Sequence, residues 1–317
     1  MAASPLAREV MQRAVDALKE HGSQSAAARA LGIPRQTFLH HIAEAERRRL
    51  IPQDTIKPLP HRIEMEIENG VALVGSDAHY WPGIISTAHR AFVKACSDIP
   101  NVKLVDLNGD VFDGASVSRH PPIGWESNPS VIDEIEACKD RLGEIEAATL
   151  KQPGKVRKAW KLGNHDARYE TRLATVAPEY ARIHGVHLKD HFPNWETAWA
   201  LWINDDVVIK HRYKGGIHAT HNNTVNSGKT IVTGHLHSLK VTPFTDYNGD
   251  RWGVDTGTLA QVGGPQFRDY MEDGPANWRS GFAVLTFHEG RLLWPELVHV
   301  IDEEAGLVSF RGRVWHV

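Results

Sequence analysis

The chain has 317 residues, 41% hydrophobic and 24% charged, with 19 histidines, two cysteines and a formal net charge of −3. These values are ordinary for a soluble globular protein with room for one large domain and a small one. They exclude a membrane span, since no window reaches the roughly 18 continuous apolar residues one needs. Cys96 and Cys138 lie in helix-like stretches and read as buried thiols in a reducing cytosol. The start, Met1-Ala2-Ala3-Ser4-Pro5, runs straight into a charged helix rather than a signal peptide, so a cytoplasmic location is expected.

Charge is uneven along the chain. Residues 1–50 carry eight Lys/Arg and five Asp/Glu, a balance of +3, whereas the remainder carries −6. That asymmetry predicts different roles for the two parts.

The first 50 residues predict three short helices. Val10, Ala14, Ala17 and Leu18 form an apolar face over 7–19, which Gly22 ends. Ser23 or Ser25 can cap a second helix through Ala26–Leu31. Gly32-Ile33-Pro34 makes a turn into a third helix from Arg35 to about Arg49, with Phe38, Leu39, Ile42 and Ala45 as its apolar face. The run Ala27-Ala28-Arg29-Ala30-Leu31-Gly32-Ile33, followed by Arg35-Gln36-Thr37, resembles a Fis-type helix-turn-helix. The resemblance implies a DNA-binding domain over 1–50, with Arg35, Gln36, Thr37 and His40 facing bases or phosphates and Arg47, Arg48 and Arg49 adding phosphate contacts. The alternative is a three-helix interaction or oligomerisation module with a basic end.

Residues 51–62, with Pro52, Pro58 and Pro60, predict a semi-extended linker. Beyond it, 63–317 alternates strands and helices. Val71–Val74 is a strand ending in Gly75-Ser76-Asp77-Ala78-His79. A helix over 85–97 leads to a strand Val102–Leu107, ending in Asn108-Gly109-Asp110-Val111-Phe112-Asp113. A long helix over 131–150 leads to a strand over 155–162, ending in Gly163-Asn164-His165-Asp166. Asp206–Lys210 delivers His211, and Thr230–Thr233 delivers Gly234-His235-Leu236-His237. This alternation predicts a mainly parallel sheet with helices outside. In such sheets the working groups sit where loops leave the strand ends. Afterwards come short alternating runs, 238–245, 251–255, 282–288 and 292–300. They predict antiparallel strands, with turns at Asn248-Gly249-Asp250 and Glu289-Gly290.

Carboxylate, imidazole and amide oxygen at five successive strand ends is a donor set for two borderline metal ions. The series Asp77-x-His79, Gly109-Asp110-x-x-Asp113, Gly163-Asn164-His165-Asp166, His211 and Gly234-His235-x-His237 resembles the calcineurin-like metallophosphoesterases, in that family's order over about residues 70–260. The resemblance implies an α/β fold, a four-layer β-sandwich flanked by helices, beside the small all-α helix-turn-helix domain. It further implies two divalent ions, manganese first, with zinc, iron or nickel as alternatives. One would be held by Asp77, His79, Asp110 and His237. The other would be held by Asp110, Asn164, His211 and His235, with a bridging hydroxide as nucleophile. His165 would serve the leaving oxygen and Asp113 would orient it, while Asp166 is a loop-shaping residue. His211 is followed by Arg212 where the family has glycine, and His218 and His221 are nearby alternatives. Arg119 and Arg168 are candidates for touching substrate phosphate.

The family includes monoesterases, diesterases and nucleases. Asp113-Gly114-Ala115-Ser116 lacks the Arg-Gly that follows this aspartate in the family's protein phosphatases. Together with a DNA-binding module on the same chain, this predicts a metal-dependent phosphodiesterase acting on DNA, of a kind suited to a phage or mobile element. The alternatives are a small-substrate phosphomonoesterase or cyclic-nucleotide phosphodiesterase, and a DNA-binding regulator on an inactive scaffold.

Overall fold

The computed structural model describes residues 8–21, 23–47, 60–119, 125, 127–181, 183–271 and 274–317. Gly22, Arg48, Arg49, His120 and most of the expected linker (51–59) lie outside the described residues, as does the side chain of Arg47. The chain divides into two units, Met1–Pro58 and Leu59–Val317.

The first unit is three helices: α1 (Arg8–His21), α2 (Gln24–Ala30) and α3 (Arg35–Arg47). Met11, Ala14, Val15 and Ala17 on α1, Ala27 and Ala28 on α2, and Phe38, Ile42 and Ala45 on α3 close one small core. The buried face of α1 is centred on Met11 and Val15 rather than on Val10, which is 38% exposed. Spacings of three and four put Met11, Ala14 and Val15 on one stripe, and the larger Met11 side chain fills the centre. Ser23 caps α2, its hydroxyl accepting from Ala26 N at 3.2 Å. The Gly32 turn has φ +64°, a conformation that favours glycine.

In chain order the second unit begins with β1 (Ile63–Met65), β2 (Gly70–Gly75), α4 (Thr87–Asp98), β3 (Val102–Asn108), α5 (Val131–Thr149), β4 (Arg157–Lys161), α6 (Asp166–Val176), β5 (Glu196–Ala198), β6 (Leu201–Ile203) and β7 (Val207–Ile209). It continues with α7 (Ala219–Ser227), β8 (Thr230–Thr233), β9 (Lys240–Asp246), β10 (Gly249–Asp255), α8 (Arg268–Met271), β11 (Gly281–His288), β12 (Arg291–Leu292), β13 (Glu296–Asp302), β14 (Leu307–Phe310) and β15 (Arg313–His316). These strands form two sheets. One has the order β1-β6-β7-β8-β10-β9, and the other β15-β14-β13-β11-β2-β3-β4-β5, with β12 on β11.

The period-two alternation of the strands decides how the layers stack. On β2, Val71 and Leu73 face one way, into a core shared with Phe92 and Ala95 of α4 and Cys138, Leu142 and Ile145 of α5. Ala72 and Val74 face the other way, where they meet Leu201, Val207, Ile209, Val232 and Val254 of the smaller sheet. The result is a β-sandwich, with α4 and α5 covering the larger sheet and α7 packed on β8, β9 and β10 of the smaller one. Both cysteines are buried and unpaired in the helix layer.

The sheets are mixed rather than mainly parallel. β2, β3, β4 and β5 run parallel. β11 inserts antiparallel beside β2, and β13, β14 and β15 continue antiparallel from it. The C-terminal runs return through tight turns, with no helical crossover to impose parallel pairing. The strand–helix–strand logic holds for β2–β5 and for β7–α7–β8. Among the described residues, no helix is long and apolar enough to cross a membrane.

Candidate metal centre

Each cluster singled out in the sequence sits where a strand ends. β2, β3 and β4 run parallel and therefore open their following loops at one end of the larger sheet, as β7 and β8 do in the smaller one. Hydrogen bonds knit these ends together. Asp77 N donates to Gly109 O and His79 N to Asp110 O, both at 2.9 Å, and Gly234 N donates to His211 O at 2.9 Å. His235 N donates to Asp77 Oδ2 at 2.8 Å, which joins the two sheets at the site itself.

The local backbone is unusual. Asp77, His79, Asp110, His235 and His237 all have positive φ, between 39° and 70°. Side chains other than glycine rarely adopt this region, and its cost persists only where surrounding structure over-determines it. The preceding glycines are there for close approach. A Cβ on Gly163 would stand 2.0 Å from Asp110 Oδ1, and one on Gly109 would stand 2.5 Å from the His211 ring.

The side chains form two neighbouring groups. Asp77, His79 and His237 bring one donor atom each within 4.8 Å of one another, and Asp110, His211 and His235 do the same. Asp110 Oδ2 lies 3.0 Å from His211 Nε2, and its Oδ1 accepts from His165 N at 2.8 Å. His211 Nδ1 is taken by Asn108 O at 2.8 Å and His79 Nδ1 by Asp113 Oδ1 at 2.7 Å, so each ring offers Nε2 inward. Among the described residues, His79 Nε2, Asn164 Oδ1 and His237 Nδ1 are buried atoms without a hydrogen-bond partner, while His211 Nε2 faces Asp110 Oδ2 at 3.0 Å. Buried polar atoms are ordinarily satisfied. Unsatisfied imidazole and amide donor atoms next to buried carboxylates fit the donor set of divalent ions.

The electrostatics fit the same assignment. Burial works to raise the Asp110 carboxyl, but the charge and hydrogen bond of His211 outweigh it and hold it well below the usual range. Asp77 is likewise lowered, His237 and His211 overcoming its burial. Burial depresses His211, yet Asp110 and Asp77 push it up to about 10. Burial lowers His79 and His235, each further depressed by a neighbouring imidazole. The site keeps its carboxylates ionised although they are buried, a preorganisation for positive charge.

His165 lies outside these two triads but forms a third close group with His79 and Asp113, one donor atom of each within 4.8 Å of the others. Its ring meets that of His79 edge-on at 4.5 Å. Nδ1 lies 2.9 Å from Asp113 O and 3.1 Å from Asp113 Oδ1, while Arg168 Nη2 lies 3.1 Å from Nε2. A guanidinium only donates, so in this arrangement Nε2 accepts and Nδ1 carries the proton toward Asp113. Burial lowers the His165 pKa, but the Asp113 hydrogen bond outweighs it and the net shift is upward. Asp113 itself is held below the carboxylate range, burial being overcome by hydrogen bonds from His165 and His79. It orients His79 as well as His165.

Arg168 also donates Nη1 to Asp113 O at 3.1 Å, whereas Arg119 is exposed. His218 and His221 are exposed at the start of α7, His221 packing on Phe244, and neither joins a triad. On α3, Arg35, Gln36, Thr37 and His40 are all exposed.

Buried carboxylates support these loops: Asp166, expected as a loop-shaping residue, and Asp255 and Glu134, which the sequence did not mark. Asp166 opens α6 fully buried. It accepts from the backbone N–H of Asp110, Val111, Phe112 and Gly163 at 2.8–3.0 Å, and from Trp160 Nε1 at 3.1 Å. One carboxylate thus clamps the loops after β3 and β4; burial, then the Asp110 charge, pushes its pKa up to about 6. Asp255 does the same for the loop after His237, accepting from Ser238, Leu239 and Gly257 N–H. The signal for either is only an aspartate at an element end, a pattern that surface turns share.

Glu134 of α5 holds the segment after Asp113, its Oε1 accepting from Gly114 N and Ala115 N at 2.9 and 3.2 Å. Burial, then the Asp113 charge, raises its pKa from 4.5 to about 8. A carboxyl with a raised folded pKa contributes stability below its unfolded pKa and loses it as pH rises through the folded one. Wild-type stability should therefore fall between about pH 5 and pH 9 relative to Glu134→Gln. The melting-temperature difference in favour of the variant should grow over that window by the equivalent of a few kcal/mol at most, at about 1.4 kcal/mol per pKa unit. Parallel melting curves at pH 5 and pH 9 check this, and a pH-independent difference contradicts it.

No family model matches the chain. The Gene 54 protein of Mycobacterium phage L5 is 28% identical over 235 residues, covering 66% of this chain and 85% of that protein. The Gene 54 protein of Mycobacterium phage D29 is 29% identical over 237 residues, with the same coverages. Among solved structures the chain is similar to Vps29 of Chaetomium thermophilum, at TM-score 0.37 and 11% identity over 78% of this chain and 97% of that one. It is also similar to a protein serine/threonine phosphatase from Saccharomyces cerevisiae, at TM-score 0.38 and 13% identity over 77% and 85%. The nuclease MPE of Pseudomonas putida gives TM-score 0.27 and 14% identity over 71% and 86%.

Proposed function

We propose that the larger unit is a calcineurin-like, dinuclear-metal-dependent phosphoesterase, and that its substrate is a DNA phosphodiester. The observation that carries this reading is the pair of adjoining triads, Asp77/His79/His237 and Asp110/His211/His235. Asp77, His79, Asp110 and His237 would hold one ion, and Asp110, Asn164, His211 and His235 the other. Divalent ions held there would supply Lewis acidity toward phosphoryl oxygens and a coordinated water of lowered pKa.

The protein's own groups account for the rest. Asp110 would supply shared negative charge between the two cations. His165, steadied through Nδ1 by Asp113, is the group that handles a proton at the leaving oxygen through Nε2. Arg168, beside that nitrogen, adds positive charge on the same flank.

The DNA part of the reading rests on α3. Arg35, Gln36, Thr37 and His40 are all exposed on the first turns of a helix that follows a tight glycine turn, in a segment of net positive charge. Such a helix is suited to the major groove. Tethering it to the larger unit would raise the local concentration of substrate at the metal centre.

The test is cleavage of linear single- and double-stranded DNA with Mn²⁺, run beside a chromogenic diester and monoester, with Asp110→Asn as control. Metal-dependent cleavage of DNA and of the diester is expected. Hydrolysis of the monoester alone would shift the reading to a small-substrate phosphatase, with the N-terminal helices an oligomerisation module. Duplex binding with neither bound metal nor turnover of any phosphoester would indicate a regulator on an inactive scaffold.

A further inference from the structure

One wall of the site is aromatic, and the ligand chemistry does not require it. Phe267 is 5% exposed, and its ring meets His79 at 5.0 Å and His237 at 5.7 Å. Trp278 is half-buried; its ring lies 4.6 Å from that of His237 and 5.1 Å from Phe267. The strand entry behind it is pinned to the metal loop, since Arg279 N donates to His237 O at 2.8 Å. The Arg279 guanidinium donates to Trp278 O at 2.7 Å, and Arg268, next to Phe267, is exposed like Arg279. The indole is therefore anchored from behind by a buried ring, faces solvent in part, and has an exposed arginine beside it.

We propose that Trp278 is the stacking platform for the nucleobase adjacent to the phosphodiester that is cut. The proposal rests on the phosphodiesterase reading above. An anchored aromatic face combined with neighbouring cations is how proteins hold an unpaired nucleotide without reading its sequence, the ring meeting the base and the arginines meeting the backbone. Beside His237, the platform is within reach of a nucleotide whose phosphate sits between the two triads. A buried packing residue would need no exposed face. A contact to phosphate alone would need no indole.

The experiment compares two diesters with the same leaving group, thymidine 5′-(4-nitrophenyl phosphate) and methyl 4-nitrophenyl phosphate, on the full chain loaded with Mn²⁺. Wild type should favour the thymidine ester. Trp278→Ala should lose a factor of roughly 5 to 150 in kcat/KM on that ester, mostly through KM, as removal of one base–aromatic stack does, while the methyl ester stays within about twofold. Trp278→Phe should keep most of the preference. Trp278→Leu fills space beside His237 without a π face, so it should behave as Trp278→Ala with both metals retained by mass spectrometry. Equal losses on both esters, or a Leu variant that keeps the thymidine preference, overturns the platform. The contrast is also read without turnover, by calorimetric binding of thymidine 5′-monophosphate against inorganic phosphate. A protein that cleaves no diester thus defeats the phosphodiesterase reading while still deciding whether Trp278 stacks a base.

Discussion

Asp110→Asn is expected to bind fewer than two metal ions and to lose roughly a thousand-fold or more in kcat/KM on a diester, well beyond the 10–100-fold typical of removing a residue that only orients a ligand. The geometry gives the reason. Asp110 is the carboxylate proposed to be shared by both ions: one oxygen lies 3.0 Å from His211 Nε2, while the other accepts from the His165 backbone. Its own N–H is fixed by Asp166 at 2.8 Å, and its φ of +51° leaves little freedom to move away. Asparagine keeps the shape but removes the negative charge that two neighbouring cations need between them. Because it is nearly isosteric and Asp166 still holds its backbone, the fold should survive. Melting in chelator should stay within a few degrees of wild type, whereas the metal-dependent rise in melting temperature should shrink, since a ligand stabilises only what binds it. A variant holding two ions and turning over within tenfold of wild type would remove Asp110 from the bridging role.

Much of the site could be read without coordinates because its residues are local to strand ends. Thr230–Thr233 is a wholly β-branched strand that stops at Gly234, and both histidines follow within three residues. The loops after β2, β3 and β4 repeat that logic. What was illegible depends on contacts distant in sequence. Asp166 and Asp110 are 56 residues apart, and only the folded chain brings the carboxylate of one to the amide of the other. Phe267 and Trp278 come from a stretch with no periodic pattern, so nothing local marks them as facing the two imidazoles. Glu196–Ala198 and Leu201–Ile203 also escaped as separate strands. They are parts of a single run, and the chain passes from the larger sheet to the smaller one across Trp199 and Ala200. The mixed character of the larger sheet escaped for a similar reason: β11 is recognisable as a strand, but its insertion beside β2 is a long-range choice. A hydrophobic pattern fixes which residues are buried, not which edge a strand joins.

Asn164 and His165 are neighbours whose replacement should fail differently. His165→Ala should retain both metals and lose about 10² to 10⁴ in kcat, the range for removing a positioned proton-transfer group. Its Nδ1 is engaged by Asp113 and its Nε2 by Arg168, so although it clusters with His79 and Asp113 both ring nitrogens already have partners. Asn164 is the reverse case. Its Oδ1 is buried with no hydrogen-bond partner among the described residues, one residue before the His165 N–H that donates to Asp110, and a dry amide oxygen there is suited to satisfy a cation. Asn164→Ala should therefore lower occupancy at that half of the centre before it lowers turnover, and excess metal should restore part of the rate. For His165→Ala excess metal should restore nothing. The two variants are separated by titrating Mn²⁺ against both activity and bound metal, and using a diester with a better leaving group sharpens the contrast. Such a leaving group needs less help with its proton, so it should narrow the deficit of His165→Ala and leave that of Asn164→Ala unchanged. If both variants lose metal in parallel and neither responds to leaving-group pKa, the division of labour between these adjacent residues is wrong, and His165 belongs among the ligands.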